Sequence, residues 1–149
     1  KKSINHKVLA IDYSNIILNI AINNAKENNV DIKFLKLNIL SFENTDFSQK
    51  INYIVSNPPY VIDSEVPEDS IVRCEPANSI FVNNSNPIIF YESICAFSLI
   101  CLAPGGKIFF EINPKFTKEL FTMIQKYGYT DIEIVKDFYN KNRFIVVSS

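Results

Sequence analysis

A chain of 149 residues, 47% of them apolar and with a mean hydropathy of +0.04, is sized for one soluble globular domain with a sizeable core. A net charge of −1 offers no basic footprint for nucleic acid, and the longest apolar stretch, residues 88–102, is interrupted by Glu92 and Ser93 short of a membrane span. Three cysteines, an odd number within apolar or motif segments, read as reduced thiols of a cytoplasmic protein with no secretion signal, and neither they nor the lone His6 have metal-ligand spacing.

Residues 7–12 form a predicted strand that ends in Asp12. Ser14 is placed to cap a helix running to about Asn28, with Ile16, Ile17, Ile20, Ala21 and Asn24 on one side. A second strand is expected over residues 32–37 and a third over residues 51–56, rich in β-branched and aromatic side chains. Residues 57–86 show no period, and a loop of that length in a small domain is usually a lid or binding element. Asn86-Pro87 has the cap-plus-proline form of a helix start, and Ala103-Pro104-Gly105-Gly106 the form of a stop. A strand over 107–111 follows, and Asn113-Pro114 opens a helix that ends at Gly128. Two β runs, 129–136 and 143–147, suit an antiparallel pair. The order implies an α/β domain with a mostly parallel sheet and a reversed strand at its end. Lysine supplies all positive charge except Arg73 and Arg143, and those two merit attention because lysine cannot replace a planar fork of donors.

The chemistry concentrates in Asn57-Pro58-Pro59-Tyr60, directly after the third strand. Two prolines end that strand, since neither can donate to the ladder. The Asn57 side-chain oxygen and the Pro58 carbonyl then stand side by side at the carboxyl end of a strand, where ligands bind in open α/β sheets. Together they can accept both hydrogens of a planar NH2 group, while Tyr60 covers its face. The plainer alternative is a strand terminator with Asn capping the turn.

The tetrapeptide resembles that of S-adenosylmethionine-dependent methyltransferases that modify exocyclic or amide nitrogens, and the element order looks like their class I, Rossmann-like fold. Arg73-Cys74-Glu75-Pro76, then Leu102-Ala103-Pro104-Gly105-Gly106 with Phe110-Glu111, then Asp137 and Asn142-Arg143, resemble successive motifs of the HemK/PrmC glutamine N5-methyltransferases. That resemblance implies methylation of the Gly-Gly-Gln glutamine of a peptide-chain release factor. It implies Asn57, Pro58, Pro59 and Tyr60 as the catalytic segment, with Asn57, Pro58, Tyr60 and Glu75 toward the substrate. Asp12, Asn38, Ile39 and Asn57 would hold S-adenosylmethionine, and no metal is implied.

Three departures bear on activity. The family's Gly-rich cofactor loop should precede the first strand, yet the only glycines are Gly105, Gly106 and Gly128. A Gly/Asp-rich segment is replaced by Asn83-Asn84-Ser85-Asn86, and a Gly-x-x-Gln by Asn113-Pro114-Lys115-Phe116, which reads as a rebuilt helix cap. The chain is therefore expected to be the C-terminal part of a catalytic domain, with Lys1-Lys2-Ser3 ending an earlier helix. The fold's first strand and helix and the family's N-terminal helical domain would be missing. Alone it would bind S-adenosylmethionine weakly, lack activity, and leave a central gap in its sheet, exchange strands with another copy, or be unstable. The alternatives are an adenine-N6 DNA or RNA methyltransferase and a non-catalytic binding module.

Overall fold

The computed structural model describes residues 7–43, 47–62, 64, 66–74, 81–82 and 85–149, which fall into two units, Lys1–Thr45 and Asp46–Ser149. The expectations for Lys1-Lys2-Ser3, His6, Glu75, Asn83 and Asn84 lie outside the described residues.

In the first unit, β1 (Val8–Asp12) pairs in parallel with β2 (Ile32–Lys36), Val8 opposite Ile32 and Asp12 opposite Lys36. The crossover is α1 (Asn15–Glu27). The Ser14 hydroxyl accepts from the Ile17 N–H at 3.5 Å, satisfying one of the donors a helix start leaves open. Asn28 caps the far end and Asn29 follows in a left-handed conformation (φ 51°), which asparagine tolerates. The side of α1 expected to be apolar is mostly in solvent: Ile16 is 73% exposed, and Ile17 and Ile20 are exposed too. Leu18 and Ala25, seven residues apart on one helical stripe, are buried instead.

The second unit is built on a sheet of order β3-β6-β8-β7. These strands are β3 (Ile51–Ser56), β6 (Leu102–Glu111), β7 (Asp131–Lys136) and β8 (Asn142–Ser148). β3 and β6 are parallel, and β8 runs antiparallel to both β6 and β7. The reversed strand predicted at the end of the chain is thus β8. It lies inside the sheet order, with β7 beside it. Among the described residues β1 pairs with β2 in the first unit, and β3 pairs with β6 in the second. The core is formed by Ile108, Phe110, Ile145 and Val147 with α2 (Ile89–Cys101) and α3 (Thr117–Lys126), which bury Ile94, Cys95, Phe97, Cys101, Leu120 and Ile124. Alternation on β6 is the cause, because Ile108 and Phe110 face inward while Lys107 faces water. Buried hydroxyls are paired: Tyr91 donates to the Glu111 carbonyl at 2.9 Å, and Ser98 and Tyr129 share a bond of 2.6 Å.

Two boundaries differ from expectation. Asn86-Pro87 lies in a turn, where Asn86 Oδ1 accepts from the Ile88 N–H at 3.3 Å, and α2 begins at Ile89 without a side-chain cap. Ala103–Gly106 does not merely stop that helix, because β6 already starts at Leu102. Ile51 pairs with Leu102 and Tyr53 with Lys107, so the intervening residues form an irregular bulge. Asn113 behaves as the rebuilt cap, its side chain accepting from the Lys115 N–H at 3.0 Å ahead of the 3-10 turn Pro114–Phe116.

The bulge requires glycine. Gly105 has φ 72°, and a Cβ on Gly106 would lie 2.8 Å from the Ala103 carbonyl oxygen and 2.9 Å from the Leu102 side chain. Gly106→Ala is expected to cost about 1–3 kcal/mol of stability, the usual range for forcing a methyl into a filled space. Urea unfolding should show a lower midpoint at unchanged slope. An unshifted midpoint would mean that the bulge widens freely.

Candidate functional site

Asn57–Tyr60 leaves β3 and precedes a short strand, β4 (Val61–Ile62), so Pro58 is outside the ladder as its missing N–H requires. β4 pairs in parallel with β5 (Phe81–Val82), which gives the otherwise aperiodic segment an anchor. Arg73, in the 3-10 turn Ile71–Cys74, braces the same segment. Its Nε donates to the Pro67 carbonyl at 3.0 Å, another guanidinium nitrogen to that of Val66 at 2.7 Å, and its plane stands 5.6 Å from the Phe81 ring centroid. Here the fork works on backbone oxygens.

Register decides what the tetrapeptide faces. Ser56 is opposite Phe110 and Glu111 opposite Phe144, so Asn57 follows β3 at the level where β6 ends and β8 begins. Pro58 is buried, Pro59 and Tyr60 are half-buried, and Asn57 is exposed. The turn is therefore pinned by Pro58 while the Asn57 amide remains available. A recess of about 420 Å³ lies beside it, lined by Val55, Ser56, Asn57, Phe109, Phe110, Glu111 and Phe144.

Tyr60 is held from β6: its hydroxyl donates to Glu111 Oε1 at 3.2 Å. Arg143 Nη1 stands 3.6 Å from the same oxygen, and its Nε 3.8 Å from Asp137 Oδ2. Partial burial, then the Glu111 charge and its hydrogen bond, push the Tyr60 hydroxyl above its ordinary pKa, while Arg143 pulls the other way. The phenol is accordingly protonated at neutral pH.

In the first unit Asp12 and Asn38 are brought to one strand end. The Leu37 N–H donates to the Asp12 carbonyl at 3.0 Å, setting Asn38 beside the carboxyl end of β1. Asp12 Oδ1 accepts from the Ser14 N–H at 2.7 Å, and Asn38 Oδ1 from the Leu40 N–H at 3.1 Å. Asn38 is exposed; Asp12 and Ile39 are half-buried. A carboxylate held by one oxygen at a strand end keeps acceptor capacity for a hydroxyl pair, and an apolar side chain next to an amide suits a flat heteroaromatic ring. These residues fit an adenosine moiety.

No family model matches this chain. Among curated proteins, a release factor glutamine methyltransferase of Flavobacterium psychrophilum is 37% identical over 146 residues, 97% of this chain and 50% of that protein. Its counterpart from Bacteroides thetaiotaomicron is 34% identical over 146 residues, covering 95% and 51%. The chain is a homologue of the HemK/PrmC release factor glutamine methyltransferases. It spans about half the length of these curated relatives. Of solved structures, a Pyrococcus furiosus methyltransferase superposes with a TM-score of 0.69 at 16% identity, over 99% of this chain and 64% of that one. A Thermus thermophilus 16S rRNA N2 G1207 methyltransferase, solved with AdoMet and guanosine, gives 0.65 at 14% identity over 96% and 31%. The fold is that of class I methyltransferases.

In this HemK/PrmC homologue the structure adds what motif reading left without a role. Glu111, Asp137 and Arg143 were separate matches along the sequence, and in the fold they form one chain of contacts, Tyr60 to Glu111, Glu111 to Arg143 and Arg143 to Asp137. Arginine scarcity was the one signal that pointed there. Two cysteines, Cys95 and Cys101, are buried. Burial, with Glu92 adding, pushes the Cys95 thiol up to about 12, and burial pushes Cys101 up to about 11, so neither is a thiolate at neutral pH. Among the described residues no group of three His, Cys, Asp or Glu could hold a metal ion.

Proposed function

We propose that this chain supplies the nitrogen-holding site of an S-adenosylmethionine-dependent methyltransferase that acts on the glutamine side-chain amide, Gly-Gly-Gln, of peptide-chain release factors. The observation that carries this is the exposed Asn57 amide beside the buried Pro58, at the carboxyl end of β3, in a chain 37% identical to a release factor glutamine methyltransferase. An amide nitrogen is a poor nucleophile because its lone pair is delocalised into the carbonyl. Asn57 Oδ1 and the Pro58 carbonyl would accept its two hydrogens, orient it, and stabilise the positive charge that develops during attack. Tyr60 would close over the flat face of the amide. S-adenosylmethionine, when bound, supplies a methyl group on a positively charged sulfur; Asp12 would accept from its ribose hydroxyls, and Asn38 with Ile39 would flank its adenine. Positioning carries the rate, and no side-chain base is required of this site.

The chain's three glycines all lie between residues 105 and 128, so it contains no Gly-rich cofactor turn ahead of β1. Such turns and the helix start behind them supply backbone N–H groups to anionic and polar ligand groups. Alone, the chain is therefore expected to be inactive. The test joins it behind the N-terminal half of the Flavobacterium psychrophilum relative and measures methyl incorporation into a release factor, a Gln→Ala control of its Gly-Gly-Gln, and DNA. Transfer to the intact glutamine only supports the proposal. Transfer to DNA alone moves the function to adenine-N6 methylation, and transfer to neither, with S-adenosylmethionine bound, retires it.

A further inference from the structure

We infer that Glu111, Arg143 and Asp137 are positioning residues: a charged brace that fixes the Tyr60 hydroxyl, and through it the ring beside the Asn57-Pro58 acceptors. The catalytic consequence rests on the function proposed above; the brace itself does not.

Three distant segments build it. Glu111 ends β6, Asp137 opens the turn between β7 and β8, and Arg143 is the second residue of β8. Each anchor has a further hydrogen bond that fixes it in place. Asp137 Oδ1 accepts from the N–H groups of Tyr139 at 2.9 Å and Lys141 at 3.0 Å, so its carboxylate is locked to its own turn and Oδ2 is left toward Arg143. The Arg143 carbonyl accepts from the Ile112 N–H at 2.9 Å, tying its backbone to the end of β6. The Glu111 carbonyl is held by the Tyr91 hydroxyl at 2.9 Å. A guanidinium can address two carboxylates lying in different directions through separate nitrogens, Nη1 toward Glu111 and Nε toward Asp137; an ammonium on a flexible stem cannot hold that geometry.

Magnitude separates positioning from stability. The side chains of Arg143, Glu111 and Asp137 are 38%, 30% and 17% exposed, and the charge separations are 3.6 and 3.8 Å. Partly exposed pairs of this kind add little to folding. What they can do is decide among rotamers of Tyr60, whose hydroxyl reaches across 51 residues of sequence to Glu111. The groups acting on that hydroxyl are Glu111 and Arg143, and Tyr60 and Glu111 together act on the Tyr91 hydroxyl of α2.

The test is a titration of the 149-residue chain labelled with [13Cζ]tyrosine, the Tyr60 resonance being assigned by its loss in Tyr60→Phe. Glu111→Gln should move the Tyr60 titration to lower pH, because a neighbouring carboxylate opposes the phenolate. Arg143→Ala should move it to higher pH, because a neighbouring guanidinium favours the phenolate. Opposite shifts at one hydroxyl, with Tyr129 unmoved, are the expected result; an unmoved Tyr60 in both variants overturns the brace. In the joined enzyme, Glu111→Ala, Arg143→Lys and Tyr60→Phe should each lower kcat about ten-fold at similar KM, and Glu111→Ala with Tyr60→Phe should cost no more than either alone. Losses that multiply in the double variant would show that Glu111 does not act through Tyr60. If the joined enzyme methylates no release factor, the proposed function falls, and the titration by itself decides the brace.

Discussion

Replacing Asn57 by alanine in the joined enzyme is expected to lower kcat about 10²-fold or more, roughly 2.7 kcal/mol, the loss typical of removing one preorganised hydrogen-bond partner of a transition state. The residue is exposed, follows the last residue of β3 and contributes nothing to the core, so the unfolding midpoint should stay where it is. Its acceptor oxygen is one of two that would hold the target NH2, and the remaining Pro58 carbonyl cannot by itself fix the plane of the amide. Asn57→Asp keeps an acceptor but adds a charge and gives up the amide donors, so a fraction of the activity should survive. Turnover of Asn57→Ala near that of the unmodified enzyme would reduce the tetrapeptide to a strand terminator.

The second large effect is on stability. Phe110→Ala should cost about 3–5 kcal/mol, the range for emptying a buried aromatic site, against a total of roughly 5–15 kcal/mol for an ordinary domain. Phe110 is fully buried, lies between Ser56 and Ile145 in the sheet, and packs edge-to-face on Tyr91 with ring centroids 5.2 Å apart. Its loss also undermines the site, because Glu111 follows it and Tyr91 holds the Glu111 carbonyl. Val55→Ala is the control: it lies one residue from the same ladder level but is 79% exposed, and should change stability by no more than about 0.5 kcal/mol. Urea unfolding of the 149-residue chain measures both. Equal effects would mean that the two faces of the sheet are not distinguished by burial.

Local signals in the sequence were reliable where a few neighbouring residues decide the outcome. β3 spans the predicted residues 51–56, Ser14 and Asn113 cap as their side chains allow, and Gly128 ends its helix with φ 89°. The strand end at Asn57-Pro58-Pro59-Tyr60 was legible for the same reason, since two prolines must break a strand wherever they follow one.

What the sequence left open depended on partners far along the chain. The stripe of α1 that is buried is chosen by what packs against it, and Leu18 and Ala25 were taken over the more apolar Ile16 and Ile20. Asn86-Pro87 has the local form of a helix start, yet it remains a turn and α2 starts at Ile89. Leu102 joins β6 only because Ile51 pairs with it across a bulge that Gly105 and Gly106 permit. The brace on Tyr60 was the least visible feature, since Glu111, Asp137 and Arg143 have no common period and are joined only by strand register. Periodicity and turn residues determined an α/β chain with a proline-broken strand end, and the motifs carried its resemblance to methyltransferases; the antiparallel return of β8 beside β6 decided what holds Tyr60, because only a folded sheet brings charges from separate strands within a few ångströms.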